Sequence, residues 1–365
     1  MEEVIETPVR GRVFGAVPPV VAARSLVKVF GSVRAVDGVD LEARPGELLA
    51  LLGPSGCGKT TTLRLLAGFE RPDQGSIALA GDVVAGDGRF VPPERRRIGV
   101  VFQDFALFPH LTVAQNLGYG VRDKSSRRRR VAEMLELIGL ADAADRLPHE
   151  LSGGQQQRVA LGRALAPEPS LVLLDEPFSN LDAALRVRMR AEVREILLLA
   201  GATAVFVTHD QEEALSLADR VAVMQGGRLL QVDAPAELYA RPVDAFVATF
   251  VGDADLLPGE ADGQEVDTAI GRISAPGSPA GPVDVVLRPE RVRVWLDGTG
   301  IGVVHRIEYF GHGQLVEVEL PAGRRARARL GPSRDLLVGD RVSLAMTGDV
   351  LVFPAGPSVS AAAGE

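Results

Sequence analysis

The residues with the clearest chemical meaning fit the pattern G-x-x-x-x-G-K-[ST]. They are Gly53, Pro54, Ser55, Gly56, Cys57, Gly58, Lys59 and Thr60. Glycines let backbone N–H groups turn inward around phosphate oxygens, and a helix N-terminus adds positive potential. Lys59 would reach the β- and γ-phosphates of a nucleotide, and the hydroxyl of Thr60, assisted by Thr61, would coordinate Mg²⁺. The pattern therefore predicts a phosphate-binding loop.

Two adjacent carboxylates end an apolar run farther along the chain. Residues 171–174 are Leu-Val-Leu-Leu, and Asp175 and Glu176 follow them. An aspartate at the end of a buried strand can hold Mg²⁺ through water, and the next glutamate can polarise an attacking water as general base. Taken alone, the pair could equally cap a strand end in a solvated loop. In a chain with a phosphate-binding loop, the catalytic interpretation is favoured.

The elements that must position these groups alternate between residues 20 and about 240. Short apolar runs at 48–52, 171–174 and 204–207 are separated by helical patterns, and a helix is expected from 61 to 67. This alternation is typical of a parallel sheet flanked by helices. Residues 105–161 are mostly helical in pattern and predict an inserted helical lobe. We therefore expect an α/β P-loop NTPase fold.

A second glycine-rich segment, Leu-Ser-Gly-Gly-Gln at 151–155, distinguishes the class of P-loop protein. Together with the loop at 53–60, it resembles the ATP-binding cassette (ABC) ATPases, which have a RecA-like core. In that family two chains clasp ATP between the P-loop of one and the LSGGQ segment of the other. The resemblance implies ATP and Mg²⁺ as cofactors and a homodimer of cassettes. It also implies contacts in trans to ATP from four residues: Ser152, Gly153, Gly154 and Gln155.

The same resemblance assigns roles to four further residues. Gln103 follows an apolar strand pattern and corresponds to the glutamine that senses Mg²⁺ and the attacking water. Asp182 lies in a segment, 179–182, that crosses the dimer interface in the family. His209 corresponds to the switch histidine at the γ-phosphate, within Thr-His-Asp-Gln-Glu-Glu-Ala at 208–214. Phe30 aligns with the aromatic that stacks on adenine, although an ordinary core phenylalanine is the alternative.

The resemblance extends from about residue 20 to 353, but the composition changes after Phe250. Glycine and proline become frequent, and alternating strand patterns follow without a phosphate or acid–base motif. This part is similar to the OB-like regulatory (TOBE) domain of bacterial importers, and Val-Leu-Arg-Pro-Glu at 286–290 matches a recurring segment of it. We expect a loose extension at 1–19, a cassette at 20–250, a C-terminal all-β domain at 251–356 and a disordered tail at 357–365.

The composition and charge of the chain limit the kinds of partner and the location that we expect for it. The chain has 365 residues, of which 46% are hydrophobic and 24% are charged. Its net charge of −8 argues against a nucleic-acid partner. The basic runs at 95–97 and 122–130 are interpreted as a surface turn and a solvated helix start. No stretch approaches the roughly 18 apolar residues of a membrane helix, and the first residues are acidic where a signal peptide would be basic. We expect a protein held at the cytoplasmic face of the membrane by transmembrane permease subunits. Cys57 is the only cysteine, which excludes an internal disulfide.

The resemblance predicts the ATPase subunit of an importer that also depends, indirectly, on a substrate-binding protein. Four apolar residues after Gln103 would offer a groove to a coupling helix of the permease: Phe105, Leu107, Phe108 and Leu111. Segments 91–97 and 250–258 look most like ferric iron importers. Importers of spermidine or putrescine, thiamine, sulfate or molybdate, and sugars remain open.

Two other classes are alternatives. One is a soluble ABC ATPase of translation or DNA repair. Such proteins usually carry a second cassette, long coiled coils or zinc-binding cysteines. The other, a P-loop kinase or GTPase, would leave the 151–155 segment and His209 unexplained.

One departure from the family is Gly162. We expect glycine there to loosen its helix slightly, because glycine costs about 1 kcal/mol of helix stability relative to alanine.

Overall fold

The structure is a computed structural model that describes residues 17–332 and 335–355. By its internal contacts the chain forms two compact units, Met1–Leu238 and Tyr239–Glu365. The expected extension at 1–19 lies almost wholly outside the described residues, as does the expected tail at 357–365. The boundary expected from composition, between residues 250 and 251, falls inside the second unit.

The first unit mixes strands with helices. Its strands are β1 (Val21–Phe30), β2 (Val33–Ala43), β3 (Leu48–Leu52), β4 (Gln74–Leu79), β5 (Asp82–Gly86), β6 (Arg89–Phe90), β7 (Ile98–Val101), β8 (Leu171–Asp175), β9 (Ala204–Thr208), β10 (Arg220–Gln225) and β11 (Arg228–Asp233). Its helices are α1 (Lys59–Ala67), α2 (Val113–Gly118), α3 (Arg127–Leu137), α4 (Gly153–Leu165), α5 (Ala183–Leu199) and α6 (Gln211–Leu217), and α7 (Pro235–Ala240) spans the division between the units.

A six-stranded sheet forms the centre of the first unit, in the order β11-β10-β3-β9-β8-β7. The strands from β10 to β7 run parallel, and only β11 is antiparallel. Every residue of β3 and β9 is buried, because helices cover both faces of such a sheet. The carboxyl ends of parallel strands lie at one edge, so β3, β8 and β9 deliver the phosphate-binding loop, Asp175 and His209 to the same place.

A second sheet, antiparallel and ordered β2-β1-β4-β5-β6, contributes to the same core. It also supports the phosphate-binding loop. The Gly227 N–H donates to the Cys57 carbonyl at 3.0 Å, and the Asp37 N–H of β2 donates to the Gly227 carbonyl at 2.9 Å. The loop is therefore fastened from the side by two other segments of backbone.

The helical lobe is built from α2, α3 and α4. Thr112 caps α2 in a reciprocal pair with Gln115, which satisfies two backbone donors that the helix start leaves free. A side chain at Gly162 of α4 would lie 2.8 Å from Leu117 and 3.2 Å from Ile138. The glycine expected only to loosen this helix instead has a packing reason, because it lets α2 and α3 approach α4 closely.

The second unit contains α8 (Ala245–Phe250) and then only strands and short 3₁₀ turns among its described residues. The strands are β12 (Asp255–Ala261), β13 (Glu265–Thr268), β14 (Gly271–Ser274), β15 (Gly281–Leu287), β16 (Val292–Leu296), β17 (Gly302–Tyr309), β18 (Gln314–Leu320), β19 (Arg324–Leu330), β20 (Arg341–Met346) and β21 (Leu351–Pro354). They form two antiparallel sheets, β14-β13-β12-β15-β21 and β16-β20-β17-β18-β19, which share one apolar core.

The expected fold class, a parallel α/β layer with a helical lobe and a C-terminal all-β part, is confirmed. In the two described ranges, none of the helices has the length and apolar character needed to cross a membrane.

Candidate ATP-hydrolysis site

The phosphate-binding loop occupies the turn between β3 and α1, and Lys59 is the first residue of that helix. Gly56 and Gly58 have φ angles of 78° and 107°, which suit glycine and turn the backbone inward. The Lys59 ammonium donates to the Gly53 carbonyl at 2.7 Å and to the Pro54 carbonyl at 3.0 Å. An ammonium already held within the loop is placed to transfer these bonds to a phosphate.

The loop opens onto a cavity of about 220 Å³. Residues of three separate segments line it: Ala35, Ser55, Gly56, Gly58, Lys59, Thr60, Thr61 and Glu176. Cys57 points away from this space and is buried, and its burial raises the pKa of the thiol. Cys57 therefore serves as a small buried residue in a tight loop.

Asp175 and Thr60 meet beside the cavity. Asp175 is the last residue of β8, and the Thr60 hydroxyl lies 3.5 Å from its Oδ1. Burial raises the pKa of Asp175, and the negative charge of the neighbouring Glu176 raises it further. A cation at this position would reverse both effects, because it would favour the ionised carboxylate.

Glu176 lies in a strained backbone conformation. Its φ is 44°, which costs a non-glycine residue about 1–3 kcal/mol and persists only where the surroundings impose it. Its N–H donates to the Val207 carbonyl of β9 at 3.1 Å, and the Ser179 hydroxyl donates to its carbonyl at 3.0 Å. The Nδ1 of His209 lies 3.3 Å from Glu176 Oε1. Glu176 thus lines the cavity while its carboxylate lies beside His209.

Gln103 is held through its backbone carbonyl. The Asn180 side chain donates to the Gln103 carbonyl at 2.8 Å, so the segment after β7 is tied to the segment before α5. Sequence reasoning placed Asn180 in the interface segment 179–182, but it predicted neither the bond of Asn180 to Gln103 nor the cavity-lining position of Ala35. Neither carries a signal, because an amide in a loop and a small residue in a strand are common everywhere.

The segment after Gln103 is strained and held from α4. Phe105 and Ala106 have φ angles of 61° and 44°, and the Arg163 guanidinium donates to both carbonyls, at 3.0 and 2.6 Å. Phe105 is only 6% exposed, so it packs inside the lobe and does not line the expected groove. Its ring is unavailable to a partner for that reason.

Phe30 lies at the end of β1 and is 45% exposed. The Lys28 ammonium sits 5.1 Å from the centre of its ring. An ordinary core phenylalanine would be buried, so the exposed ring favours the binding interpretation. Phe30 does not line the phosphate cavity itself.

The segment at 151–155 lies at the start of α4. Ser152 is the N-cap, since its hydroxyl accepts the Gln155 N–H at 3.3 Å while the Gln155 side chain accepts the Ser152 N–H at 2.9 Å. Gln155 therefore has a local role in fixing the helix start. A side chain at Gly154 would lie 2.7 Å from Met189 of α5, so this glycine permits close helix packing.

The two elements expected to act in trans are neighbours. A side chain at Gly153 would lie 3.5 Å from Leu181, and Asp182 follows Leu181 as the exposed N-cap of α5. The described contacts thus form two groups. One gathers the phosphate-binding loop, Asp175, Glu176 and His209, and the other gathers Ser152, Gly153 and Asp182.

Comparisons with known proteins find two family models that match parts of this chain. The family model described as ABC transporter matches residues 36–179, and the model described as TOBE domain matches residues 285–353. The Fe(3+) ions import ATP-binding protein FbpC 2 of Rhodococcus jostii is 48% identical over 334 residues, covering 89% of this chain and 96% of the relative. The FbpC protein of Mesorhizobium japonicum is 52% identical over 309 residues, covering 81% and 86%.

A relative with a different cargo in its name is also similar. The spermidine/putrescine import ATP-binding protein PotA of Ruegeria pomeroyi is 42% identical over 351 residues, covering 90% of this chain and 95% of the relative. Among solved structures, cbiO1 of Clostridium perfringens, part of an ABC transporter complex, has a TM-score of 0.56 at 29% identity. It covers 61% of this chain and 91% of its own.

Proposed function

Because this chain belongs to the ABC transporter family, as the ATP-hydrolysing subunit of an importer with a TOBE domain, we propose that two copies of it drive the uptake of ferric iron. ATP would be bound and hydrolysed between the copies, at the cytoplasmic face of the membrane. The observation that carries the hydrolytic part is the strained Glu176 carboxylate, which faces both the phosphate cavity and His209.

Glu176 acts as the general base. Its position on the cavity lets it polarise a water for attack on the γ-phosphate, and His209 is close enough to orient that water or the phosphate. Lys59 and the inward-turned amides of the loop stabilise the phosphate charge. Phe30 stacks on the adenine, which its exposed ring supports.

The donor set supports Mg²⁺ as the cation of the site. Thr60 and Asp175 offer a hydroxyl and a carboxylate oxygen 3.5 Å apart, and the Gln103 side chain would add an amide oxygen; hard oxygen ligands suit this metal. When bound, Mg²⁺ neutralises charge on the transferring phosphate. The raised pKa of Asp175 supports the assignment, because a cation would relieve the cost of ionising a half-buried carboxylate.

The grouping of the site residues into two sets supports the proposal that two copies act together. Ser152, Gly153 and Asp182 lie together, and their exposed groups point to ATP held by another molecule. The free end of α4 adds backbone N–H donors suited to an anion. ATP would therefore join the two copies, and its hydrolysis would allow them to part.

Two pairs of exposed or partly exposed aromatic side chains support docking of a permease. Phe69 and Phe102 are 50% and 38% exposed and contact one another, and Tyr119, 64% exposed, stacks near Phe108 at 4.3 Å. Exposed aromatic clusters are typical of interaction sites. Leu107, Phe108 and Leu111 are partly exposed there, so they can contribute where Phe105 cannot.

The base assignment is tested by Glu176→Gln in the full chain. We expect hydrolysis to fall at least about 100-fold while ATP binding persists, because the amide keeps the shape but cannot take a proton. ATP-dependent dimers should accumulate and are measurable by light scattering. Glu136→Gln, at an exposed position of α3, is the matched control and should hydrolyse ATP normally. Normal turnover by Glu176→Gln would exclude the role.

The cargo is tested by uptake in a strain that lacks the gene. Loss of labelled ferric iron uptake, restored by the natural gene and not by its Glu176→Gln form, is the expected result. The similarity to PotA supports polyamine uptake as the alternative to iron uptake. Normal iron uptake together with lost spermidine uptake would replace the iron proposal with that alternative.

A further inference from the structure

Arg186 joins two loops that belong to different parts of the candidate site. It lies on the first turn of α5, where one guanidinium nitrogen donates to the Leu181 carbonyl at 3.1 Å. Its other terminal nitrogen donates to Asp210 Oδ2 at 3.4 Å. Leu181 immediately precedes Asp182, and Asp210 immediately follows His209. A single planar group therefore bridges the segment proposed to act in trans and the loop that faces Glu176.

Asp210 fixes the backbone on both sides of His209. Its Oδ1 accepts the Glu213 N–H at 3.1 Å and so caps α6, while its own N–H donates to the Thr208 hydroxyl at 3.0 Å. The Thr208 hydroxyl in turn donates to the buried Glu213 carboxylate at 2.5 Å. A displacement of Asp210 would consequently move the peptide that carries His209.

A second arginine shares the same carboxylate but has a different reach. Arg190 donates to Asp210 Oδ2 at 3.0 Å and to Glu212 at 3.2 Å, so its bonds remain between α5 and α6. Arg190 is 9% exposed and Asp210 is 22% exposed, which makes this pair more persistent than a surface ion pair. Only Arg186 of the two also grips the 179–182 segment.

Holding α5 against α6 is already served elsewhere. At the far end of these helices, Arg194 donates to the Leu217 carbonyl and pairs with Asp219 at 3.1 Å. Asp219 in turn accepts the Leu48 N–H of β3 at 2.9 Å. Arg186 is therefore not required simply to keep the two helices together, and its bond to Leu181 needs another explanation.

We propose that Arg186 is a positioning residue that couples the 179–182 segment to His209 within one copy of the chain. The inference rests on the proposed function, in which Asp182 meets ATP held by the second copy. When that segment settles against the second copy, the guanidinium of Arg186 transfers the displacement to Asp210 and so changes the position of His209 relative to Glu176. Hydrolysis at one site then depends on the closure of the other.

The first measurement is steady-state turnover of MgATP by the full chain. Arg186→Gln should lower kcat about 10-fold and change KM less than about 2-fold, because the guanidinium does not line the ATP cavity. Arg188→Gln is the matched control on the same helix, since Arg188 is 77% exposed and pairs with Glu192 one turn away. It should turn over ATP at the natural rate.

A merely structural role is separated by two further variants. Arg194→Gln should lower the Tm while leaving kcat within about 2-fold. Arg186→Gln should instead lower kcat while leaving the Tm nearly unchanged. Arg186→Lys keeps the charge but replaces the fork by one ammonium, which cannot hold both partners in the same geometry. Its kcat should stay within about 2-fold of Arg186→Gln. Full rescue by lysine, or a fall in Tm that accounts for the lost turnover, would overturn the coupling.

The decisive test combines Arg186→Gln with His209→Gln. If Arg186 acts through His209, the double variant should turn over no more than about 2-fold more slowly than His209→Gln alone. Losses that multiply would overturn the link but leave the proposed role of His209 standing. Normal turnover by the single variant His209→Gln would overturn that role, and the link with it.

Discussion

Gly58 should be the least replaceable glycine of the phosphate-binding loop. It precedes α1 with φ 107° and ψ 0°, a conformation that residues with a Cβ rarely adopt. A Cβ built there would lie 2.2 Å from the Ala35 carbonyl oxygen and 3.6 Å from Gly227. Both neighbours are backbone atoms, and the bond between Asp37 and Gly227 holds them in place. Gly58→Ala therefore forces either the loop or β2 to move.

The cost of Gly58→Ala has two parts. A left-handed conformation costs an L-residue about 1–2 kcal/mol, and overpacking against fixed atoms costs about 1–3 kcal/mol. Together these give about 2–5 kcal/mol of lost stability. For a domain of this size, 1 kcal/mol shifts Tm by about 2–4 °C, so the first unit should melt at least about 4 °C lower. Displacement of the loop should also weaken ATP binding by about 10-fold or more.

Gly56→Ala is the matched control within the same loop. Gly56 has φ 78°, but a Cβ there would meet nothing within 4 Å. Only the conformational cost of about 1–2 kcal/mol applies, so its Tm should fall by less than that of Gly58→Ala. Scanning calorimetry gives the Tm, and titration with a fluorescent ATP analogue gives the affinity. Equal losses in the two variants, or natural ATP affinity in Gly58→Ala, would refute the reasoning from the Ala35 contact.

Three further predictions concern other parts of the chain. Ser152→Ala removes a helix cap, so it should cost about 1 kcal/mol of stability and abolish hydrolysis while ATP binding persists; lost binding in a nucleotide titration would contradict the role in trans. Glu213→Gln should reduce the pH dependence of Tm. Burial raises the pKa of Glu213, so its contribution to stability is present below its unfolded-state pKa and is lost as the pH rises through the folded value. The Tm of the variant should therefore rise relative to the natural protein as the pH is raised above the ordinary glutamate pKa, and an unchanged difference would exclude this cause. Asp255→Asn should destabilise the second unit by about 1–3 kcal/mol, because Asp255 accepts two hydrogen bonds from Arg327, at 2.8 and 2.9 Å. Asp267→Asn, whose ion-pair partner Arg272 and own side chain are both 63% exposed, is its control and should cost much less in a thermal scan.

The parallel strands and the chemical groups at their ends could be predicted from the sequence. Strands buried on both faces are unbroken apolar runs, so the polar or glycine residues that follow these runs mark where β3 and β8 end. The phosphate-binding loop, which begins at Gly53, and the pair Asp175-Glu176 lie directly after those runs. Local order along the chain therefore determines which side chains reach the carboxyl edge of the sheet.

Contacts between distant positions could not be predicted in this way. Gly154 and Gly162 are glycines because Met189, Leu117 and Ile138 come close to them, and no spacing in the sequence encodes that approach. Phe105 is buried although its neighbours in an apolar segment are partly exposed. In each case the deciding partner lies on another helix or in the core of the lobe.

The pairing of Arg186 with Asp210 illustrates why the chemical groups of the site are easier to predict than the contacts that couple its parts. In this fold the candidate catalytic groups lie at strand ends and in a glycine-rich turn, which leave a pattern in the sequence. A coupling contact needs only two opposite charges brought together by the fold, and this chain has 40 basic and 48 acidic residues among which to choose. The segment from Asp175 to Asp182 holds groups facing the chain's own cavity at one end and an exposed cap at the other. Within it, Asn180 binds the backbone of Gln103, and Leu181 binds Arg186. The two groups of site residues are therefore linked through loop carbonyls that the side chains of Asn180 and Arg186 bind. Substitutions of these two side chains should uncouple hydrolysis from ATP binding.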